Sequence, residues 1–554
     1  MCGINFIKTN KGKLIYRINK MNQALIHRGP DENGISSLND YCALGQTRLK
    51  ILDLESAVSR QPKEQNGRYL SYNGEIVNYR ALAKLYGYKN IRSDTDFLFR
   101  ALNERSPAQV CADLEGMYAF IYIDTGKGVI YLHRDTYGIK PLFYFLCNEQ
   151  MAISSEINGV LSSGLFQPTI NSDIVSQYFI QRHVEAPNTL IKEINQLNPG
   201  QLLEYSLDTL QKRSDVIISK INRISSVNDL SELLRRVVAE WCISDVPVGT
   251  FLSGGLDSSL LTAIASEYSK VTKAYCAKFE NGVDESNYAR QIADRYGIDL
   301  EVVSVKEEQY LAWTEKLISL KGLPLSVPNE VAIYLISKHM KKDITVAISG
   351  EGADEFFGGY ERILNTTFSS WDEFYERYSY VPRAMIKKIG LNIHINQVLQ
   401  DSVSDEEIYS FFRTTHLQGL LSRVDSMTML NSIESRPALV DSRILSYIND
   451  QFTFDELSES GNGKKPLKDV ALKYMSRDLV YRKKIGFPVP LNKYLSTIIE
   501  RIEIITRESN HISIIDVAPI IKDLKNEKNG GQIAWMLWNY LIWEKELLTN
   551  NHIY

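Results

Sequence analysis

The spacing of apolar residues changes character along the chain. Up to about residue 200 it favours short runs that alternate or are continuously apolar. Segments 128–135 and 141–147 are rich in aromatic and β-branched residues and lie beside turn material such as Asp124-Thr-Gly-Lys-Gly128. Helical spacing is confined to segments 16–26, 79–86 and 95–104. Hairpins with few helices predict stacked antiparallel sheets with helices packed outside them. From about Val227 strands and helices alternate: a strand ending at Leu252, a helix over 257–268, a strand over 271–279, a helix over 285–296, and strands over 300–305 and 344–348. That rhythm predicts a parallel sheet covered on both faces, and beyond Tyr360 the pattern is mainly helical. The polar stretch 206–226 is the expected linker, dividing the chain into domains 2–210 and 225–554. No internal repeat or low-complexity tract is present.

Composition narrows the function classes. The 554 residues are 44% hydrophobic and 23% charged, which is globular, and too many for one core. A net charge of -4 without long basic runs offers no field for nucleic acid, so small molecules are the expected ligands. Cys2, Cys42, Cys111, Cys147, Cys242 and Cys276 are scattered and never form C-x-x-C, which argues against disulfide and zinc frameworks and suits a reducing cytoplasm. Lys8, Lys11 and Lys13 interrupt any signal-peptide core. The apolar stretch 533–543 is about half a membrane span and predicts a buried helix. The expectation is a cytoplasmic protein with no membrane partner, and a homodimer is left open.

The chain opens Met1-Cys2-Gly3-Ile4. With Met1 removed, Cys2 carries an α-amine of pKa about 7.7–8.0 beside a thiol of about 8.5, so the amine can take the thiol proton without a histidine. An ordered set follows: His27-Arg28-Gly29-Pro30-Asp31, Arg48, Tyr72-Asn73-Gly74-Glu75-Ile76, Ser93-Asp94, and Arg134-Asp135 with Gly138-Ile-Lys-Pro141. This set resembles the class II glutamine amidotransferase domain, an α+β N-terminal-nucleophile hydrolase fold. The resemblance implies that Asn73 and the Gly74 N–H stabilise an oxyanion, a site that calls for preorganised donors. Arg48 suits the substrate carboxylate, and Glu75 and Asp94 its ammonium. Arg134-Asp135 reads as a structural ion pair, and Arg28 stays open between function and structure.

Two glycine loops follow predicted strands. Ser253-Gly254-Gly255-Leu256-Asp257-Ser258 leads into a helix, an arrangement that aims free N–H groups and a helix dipole at an anion. No lysine follows the glycines, so it is not the loop of γ-phosphate-transferring enzymes. Ser349-Gly350-Glu351-Gly352-Ala353-Asp354-Glu355 falls at a strand's carboxyl end, where α/β sheets bind ligands. Asp257 and Asp354 together could hold Mg²⁺ on a pyrophosphate, because a hard cation takes oxygen ligands.

With Asp245-Val-Pro247, Arg423-Val-Asp425, Glu434-Ser-Arg436-Pro437, Gly463-Lys464, Arg482, Lys484-Ile-Gly-Phe487 and the tryptophan-rich terminal helix, these loops resemble the synthetase domain of the asparagine synthetase family. The resemblance implies an α/β ATP-pyrophosphatase domain with a helical C-terminal part, and glutamine, aspartate and ATP as substrates with Mg²⁺ as cofactor. It implies nucleotide contacts at Leu252, Ser253, Gly254, Gly255, Asp257, Ser258, Lys278, Ser349 and Gly350, and a phosphate-facing cation at Lys464 or its neighbour Lys465. Glu351 is the candidate that contacts the acceptor or takes a proton from ammonia. Three departures stand out: Lys278 where an apolar residue is expected, Pro437-Ala-Leu-Val-Asp441, and Pro466 where a helix usually continues. Rival readings are the same machinery amidating another carboxylate such as a uronic acid, a β-lactam-forming synthetase, which would not need Cys2, and an inactive scaffold.

Overall fold

In the computed structural model the chain is described over residues 2–220, 229–268, 271–280, 282, 284–360, 363, 366–393, 403–457, 463–483, 489–508 and 513–549. Alternation along the first strand, Cys2–Lys8, sets the build of the N-terminal half. Ile4 and Phe6 point to one face and pack with Leu44, Ile121 and Leu132, while Ile7 points to the other and meets Ile18 and Met21 of the helix Leu14–Ala24. The first antiparallel sheet runs in the order Asn195–Gln196, Phe143–Cys147, Gln150–Ser154, Cys2–Lys8, Cys42–Arg48, Glu32–Ser37. The second runs Lys212–Ile217, Gln201–Ser206, Val129–Arg134, Gly116–Asp124, Arg68–Ile76, Lys63–Gln65. The two sheets stack through their apolar inner faces, as the alternation predicts.

The C-terminal half holds a five-stranded parallel sheet in the order Asp299–Val305, Lys273–Phe279, Val248–Phe251, Val346–Ile348, Glu434–Arg436. Both faces are covered. Ala274 and Cys276 pack with Ile264 and Ile292, and Tyr275 and Ala277 pack in the opposite layer with Leu335 and Ile344. The terminal helix Gly530–Thr549 buries Trp535, Trp538 and Trp543, in line with the buried helix expected over 533–543. Among the described residues, no helix is long and apolar enough to cross a membrane.

Two segments differ from expectation. The polar stretch read as a linker carries the edge strand Lys212–Ile217, which pairs with Gln201–Ser206, and residues 221–228 lie outside the described residues. The fifth parallel strand, Glu434–Arg436, falls in the region expected to be helical. It is three residues long and holds two charged side chains, so no apolar signature marks it.

Candidate active sites

Pairing of the first and third strands places Cys2 opposite Arg48, so the two side chains share a face. Both are buried, as are Asn73, Glu75 and Asp94. The Cys2 N–H donates to Asn73 Oδ1 at 2.9 Å, which leaves Asn73 Nδ2 as a buried donor with no hydrogen-bond partner. An orphaned amide next to the thiol is what an oxyanion would satisfy. Gly74 sits at φ 153°, and a Cβ there would lie 2.1 Å from Met117 O, so only glycine fits this strand position. Glu75 Oε2 accepts from Arg436 at 3.0 Å while Oε1 is buried without a donor. Asp94 is better satisfied, accepting from Tyr72 Oη at 2.6 Å and from the N–H groups of Ile76 and Thr95. Burial, and then neighbouring carboxylates, push Glu75 well up despite Arg436, and burial also raises Asp94. A substrate ammonium would favour their ionised forms. Arg48 is already bound to Glu32 at 2.9 Å and to the carbonyls of Leu52 and Asp53, so a substrate carboxylate would have to share it.

Arg28, left open by sequence, is fully buried and bridges the two halves. It donates to Cys2 O at 3.2 Å, Glu156 at 2.7 Å and Asp425 at 2.9 Å. Lys140 donates to the other oxygen of Asp425 at 2.9 Å, and Arg436 joins Glu75 to Glu434. Arg134 and Asp135 do not serve as the expected ion pair. Arg134 donates to the carbonyls of Gly138, Lys140 and Leu197, and Asp135 accepts from the N–H groups of Tyr118, Tyr137, Ile139 and Lys140. Lys140 and Asp425 then line a narrow cavity of about 10 Å³ together with Ile139, Leu421, Val424 and Glu351. Glu351 itself faces Arg423 at 3.7 Å, a long ion pair.

The glycine loop 253–258 caps the parallel sheet. Ser258 Oγ accepts from Ser253 N at 3.2 Å and lies 3.0 Å from Ser253 Oγ, curling the loop into the helix Leu256–Tyr268. Arg482 clamps the Gly254 carbonyl through Nε and Nη2, while residues 484–487 lie outside the described residues. Leu252 N–H bonds Tyr275 O, and Ser349 Oγ is buried without a partner beside Gly350. Asp257 and Asp354 converge, and Lys464 Nζ lies 2.7 Å from each. Lys464 is buried with φ 64°, whereas Lys465 begins the next helix and is only half-buried, so the fold separates the two candidates. The paired carboxylates hold the Lys464 ammonium well above its ordinary value against the opposing effect of burial. Asp257 Oδ1 is buried with no hydrogen-bond partner, and a Cβ on Gly359 would strike Asp354 Oδ1. The two carboxylates, one oxygen of Asp257 still without a partner, are the hard donors a Mg²⁺ ion would take, shared with Lys464.

The departures have local explanations. Pro466 stands in the first turn of its helix, where its missing N–H costs nothing. Asp441 caps the helix Ser442–Gln451 and accepts from Trp241 Nε1. Lys278 is partly exposed at the strand end, 3.6 Å from Asp284. Glu32, Glu156 and Asn329 were missed by sequence reading. They belong to no motif, and only the fold brings them to Arg48, Arg28 and Arg423.

A buried Cys2 on stacked antiparallel sheets is joined to a glycine loop on a parallel sheet, an arrangement with two separate candidate centres. Residues 229–545 match asparagine synthase, and residues 1–214 match the glutamine amidotransferase domain. The chain belongs to the asparagine synthase family. It is 28% identical to the glutamine-hydrolysing asparagine synthetase 1 of Bacillus subtilis over 95% of this chain and 93% of the relative. It is 31% identical to a glutamine-hydrolysing asparagine synthetase 2, named as putative, of Methanocaldococcus jannaschii over 66% of this chain and 76% of that one. The human glutamine-hydrolysing asparagine synthetase is 26% identical over 76% of this chain and 72% of its own length.

Proposed function

We infer that the protein is a glutamine-dependent asparagine synthetase with a glutaminase domain over 2–210 and a synthetase domain over 225–554. The Cys2 thiol gives its proton to the α-amine exposed by loss of Met1 and attacks the glutamine carboxamide. Asn73 Nδ2 and the Gly74 N–H hold the oxyanion, and Arg48, Glu75 and Asp94 hold the amino-acid end. The C–N bond breaks, ammonia leaves, and water releases glutamate from the thioester. In the second centre the β-carboxylate of aspartate attacks the α-phosphorus of ATP and expels pyrophosphate. Ammonia then displaces AMP from β-aspartyl-AMP, giving asparagine.

The second centre reads as a charge-neutralising cradle. The loop 253–258 faces the phosphates, Leu252, Ser349, Gly350 and Lys278 border the nucleotide, and Lys464 lies where it can offset charge developing at the α-phosphate. Asp257 and Asp354 would hold Mg²⁺, which when bound neutralises the leaving pyrophosphate. Glu351 accepts the proton that ammonia sheds on forming the amide.

One observation carries the reading: the cavity shared by Lys140, Asp425 and Glu351. Its first two residues reach the Cys2 strand through Arg28, and the third belongs to the acidic loop. A cavity of about 10 Å³ has room for one molecule the size of ammonia, which bulk water at neutral pH would protonate. The relatives' names favour aspartate as acceptor. Exchange of labelled pyrophosphate into ATP, measured with aspartate and with a panel of carboxylates including uronic acids, tests it. Aspartate is expected to support exchange, and exchange with another carboxylate alone would overturn the choice.

A further inference from the structure

A second cavity lies between the two halves, separate from both centres. Its volume is about 60 Å³, and it opens toward solvent. Arg182, His183 and Asn188 line one side, and Lys321, Gln418 and Ser422 the other. Phe143, Leu190 and Leu323 supply apolar wall. It has room for about four to six waters, the size of a small organic acid.

The lining is basic, with Arg134, Arg182 and Lys321 and no Asp or Glu. Two of these charges are spent. Arg134 donates to three carbonyls, and Lys321 pairs with Glu330 at 2.8 Å. Arg182 lies over the rings of Tyr378 and Tyr380, 4.2 and 4.8 Å from their centroids, and donates to His416 Nδ1 at 3.3 Å. Among the described residues no carboxylate pairs with it. His183 hydrogen-bonds Gln181 O through Nδ1 at 3.1 Å, and the Thr415 backbone also holds its ring. Burial pushes this imidazole down to about 4, which keeps it neutral. The cavity thus offers a cation with no carboxylate partner among the described residues, and an apolar wall. A small carboxylate with an apolar body matches both.

The cavity is wired to the phosphate centre. Tyr378 Oη donates to His416 Nδ1 at 2.6 Å, His416 Nε2 donates to Tyr360 Oη at 2.9 Å, and Tyr360 Oη donates to Glu355, next to Asp354. His416 closes the π-helical turn Phe412–His416, a distortion often found at functional positions. The following helix, Leu417–Met429, turns Gln418 and Ser422 to this cavity and Leu421, Val424 and Asp425 to the small cavity beside Lys140.

We propose that this interdomain cavity is an effector site for a small carboxylate, coupled to the ATP centre through Arg182 and His416. Coupling is reciprocal, so ATP changes the effector's affinity by the factor by which the effector changes that of ATP. The coupling rests on the ATP-cleaving role of the second centre, whereas binding does not.

The test is thermal stabilisation of the full chain by L-lactate and 3-hydroxybutyrate, with lactamide and 3-hydroxybutyramide as neutral controls, in the absence and presence of ATP. Saturable stabilisation by the acids is expected, absent with the amides, abolished by Ser422→Phe, which fills the cavity, and shifted by ATP. Arg182→Met, checked for native circular dichroism, should weaken binding about tenfold or more, so the test survives if Ser422→Phe misfolds. No saturable response to either acid, an equal response to the amides, or a response unchanged in both variants overturns the site. Binding that ATP leaves unaltered overturns the coupling alone. Because binding is read without amide formation, the result stands apart from whether aspartate is the acceptor.

Discussion

Replacing Asp425 with Asn removes the one anion shared by Arg28 and Lys140, all three nearly or fully buried. The amide keeps the shape, so packing is preserved and charge is the variable. Arg28 retains Glu156 at 2.7 Å, but Lys140 Nζ loses its only carboxylate partner among the described residues. Stranding a buried charge costs about 3–5 kcal/mol. Burial already lowers Lys140 below the ordinary lysine value, and in the variant it can shed its proton, which places the cost toward about 3 kcal/mol. The sign with pH follows. A lysine whose folded pKa is depressed binds fewer protons folded than unfolded, so stability rises with pH between the two values. The Asp425→Asn variant should therefore lose most near neutrality and recover toward pH ~9.5. All six tryptophans lie between residues 241 and 543, so their fluorescence in urea reports the half that carries Asp425. Unfolding at the wild-type urea concentration near neutrality, or a loss that does not shrink with pH, would refute the reasoning. Glutamine-dependent synthesis should also fall further than ammonia-dependent synthesis, because the triad holds the Cys2 carbonyl through Arg28.

Cys2→Ala should abolish glutamine hydrolysis and glutamine-dependent synthesis while free ammonia still supports amide formation; loss of the ammonia reaction in a folded variant, measured by asparagine formed, contradicts the division of labour. Asp257→Asn and Asp354→Asn should each abolish synthesis and leave glutamate release measurable, and near-normal AMP production with Mg²⁺ would exclude that residue as a metal ligand. Burial raises Glu156, but His27 and Arg28 outweigh it and hold the carboxyl at about 2, so its stabilisation is present above the ordinary carboxylate range and lost as pH falls through about 2. Glu156→Gln should flatten the acid-unfolding curve over that window, and an unchanged curve would show that the pair carries no weight.

The two-part architecture was legible because apolar periodicity marks both sheets. The aromatic and β-branched runs 128–135 and 141–147 announce the strands Val129–Arg134 and Phe143–Cys147, and the run before Ser253 announces a buried one. Lys212–Ile217 and Glu434–Arg436, read as linker and as helical region, are polar. The first is a solvent-facing sheet edge. The second buries its charges against Glu75, Trp241 and Ile243, partners hundreds of residues away. The candidate centres were legible as motifs, since backbone geometry ties glycines and acidic residues to local positions. Which lysine faces Asp257 was not. That choice depends on the left-handed turn at Lys464, which swings one side chain inward and starts a helix with the next. The triad of Arg28, Lys140 and Asp425 was equally hidden, because its members look like separate motif residues until the two halves dock.

The central claim is that nitrogen from glutamine reaches a carboxylate activated as its adenylate. Aspartate labelled with ¹⁸O in its side-chain carboxylate, incubated with ATP and amide-¹⁵N glutamine in unlabelled ammonium buffer, tests both parts in one mass spectrum. The expected products are AMP carrying one ¹⁸O and asparagine carrying ¹⁵N in its side-chain amide. Unlabelled AMP, or ¹⁸O appearing in inorganic phosphate with ADP, would contradict adenylation, and asparagine carrying only buffer nitrogen would contradict the passage from Cys2.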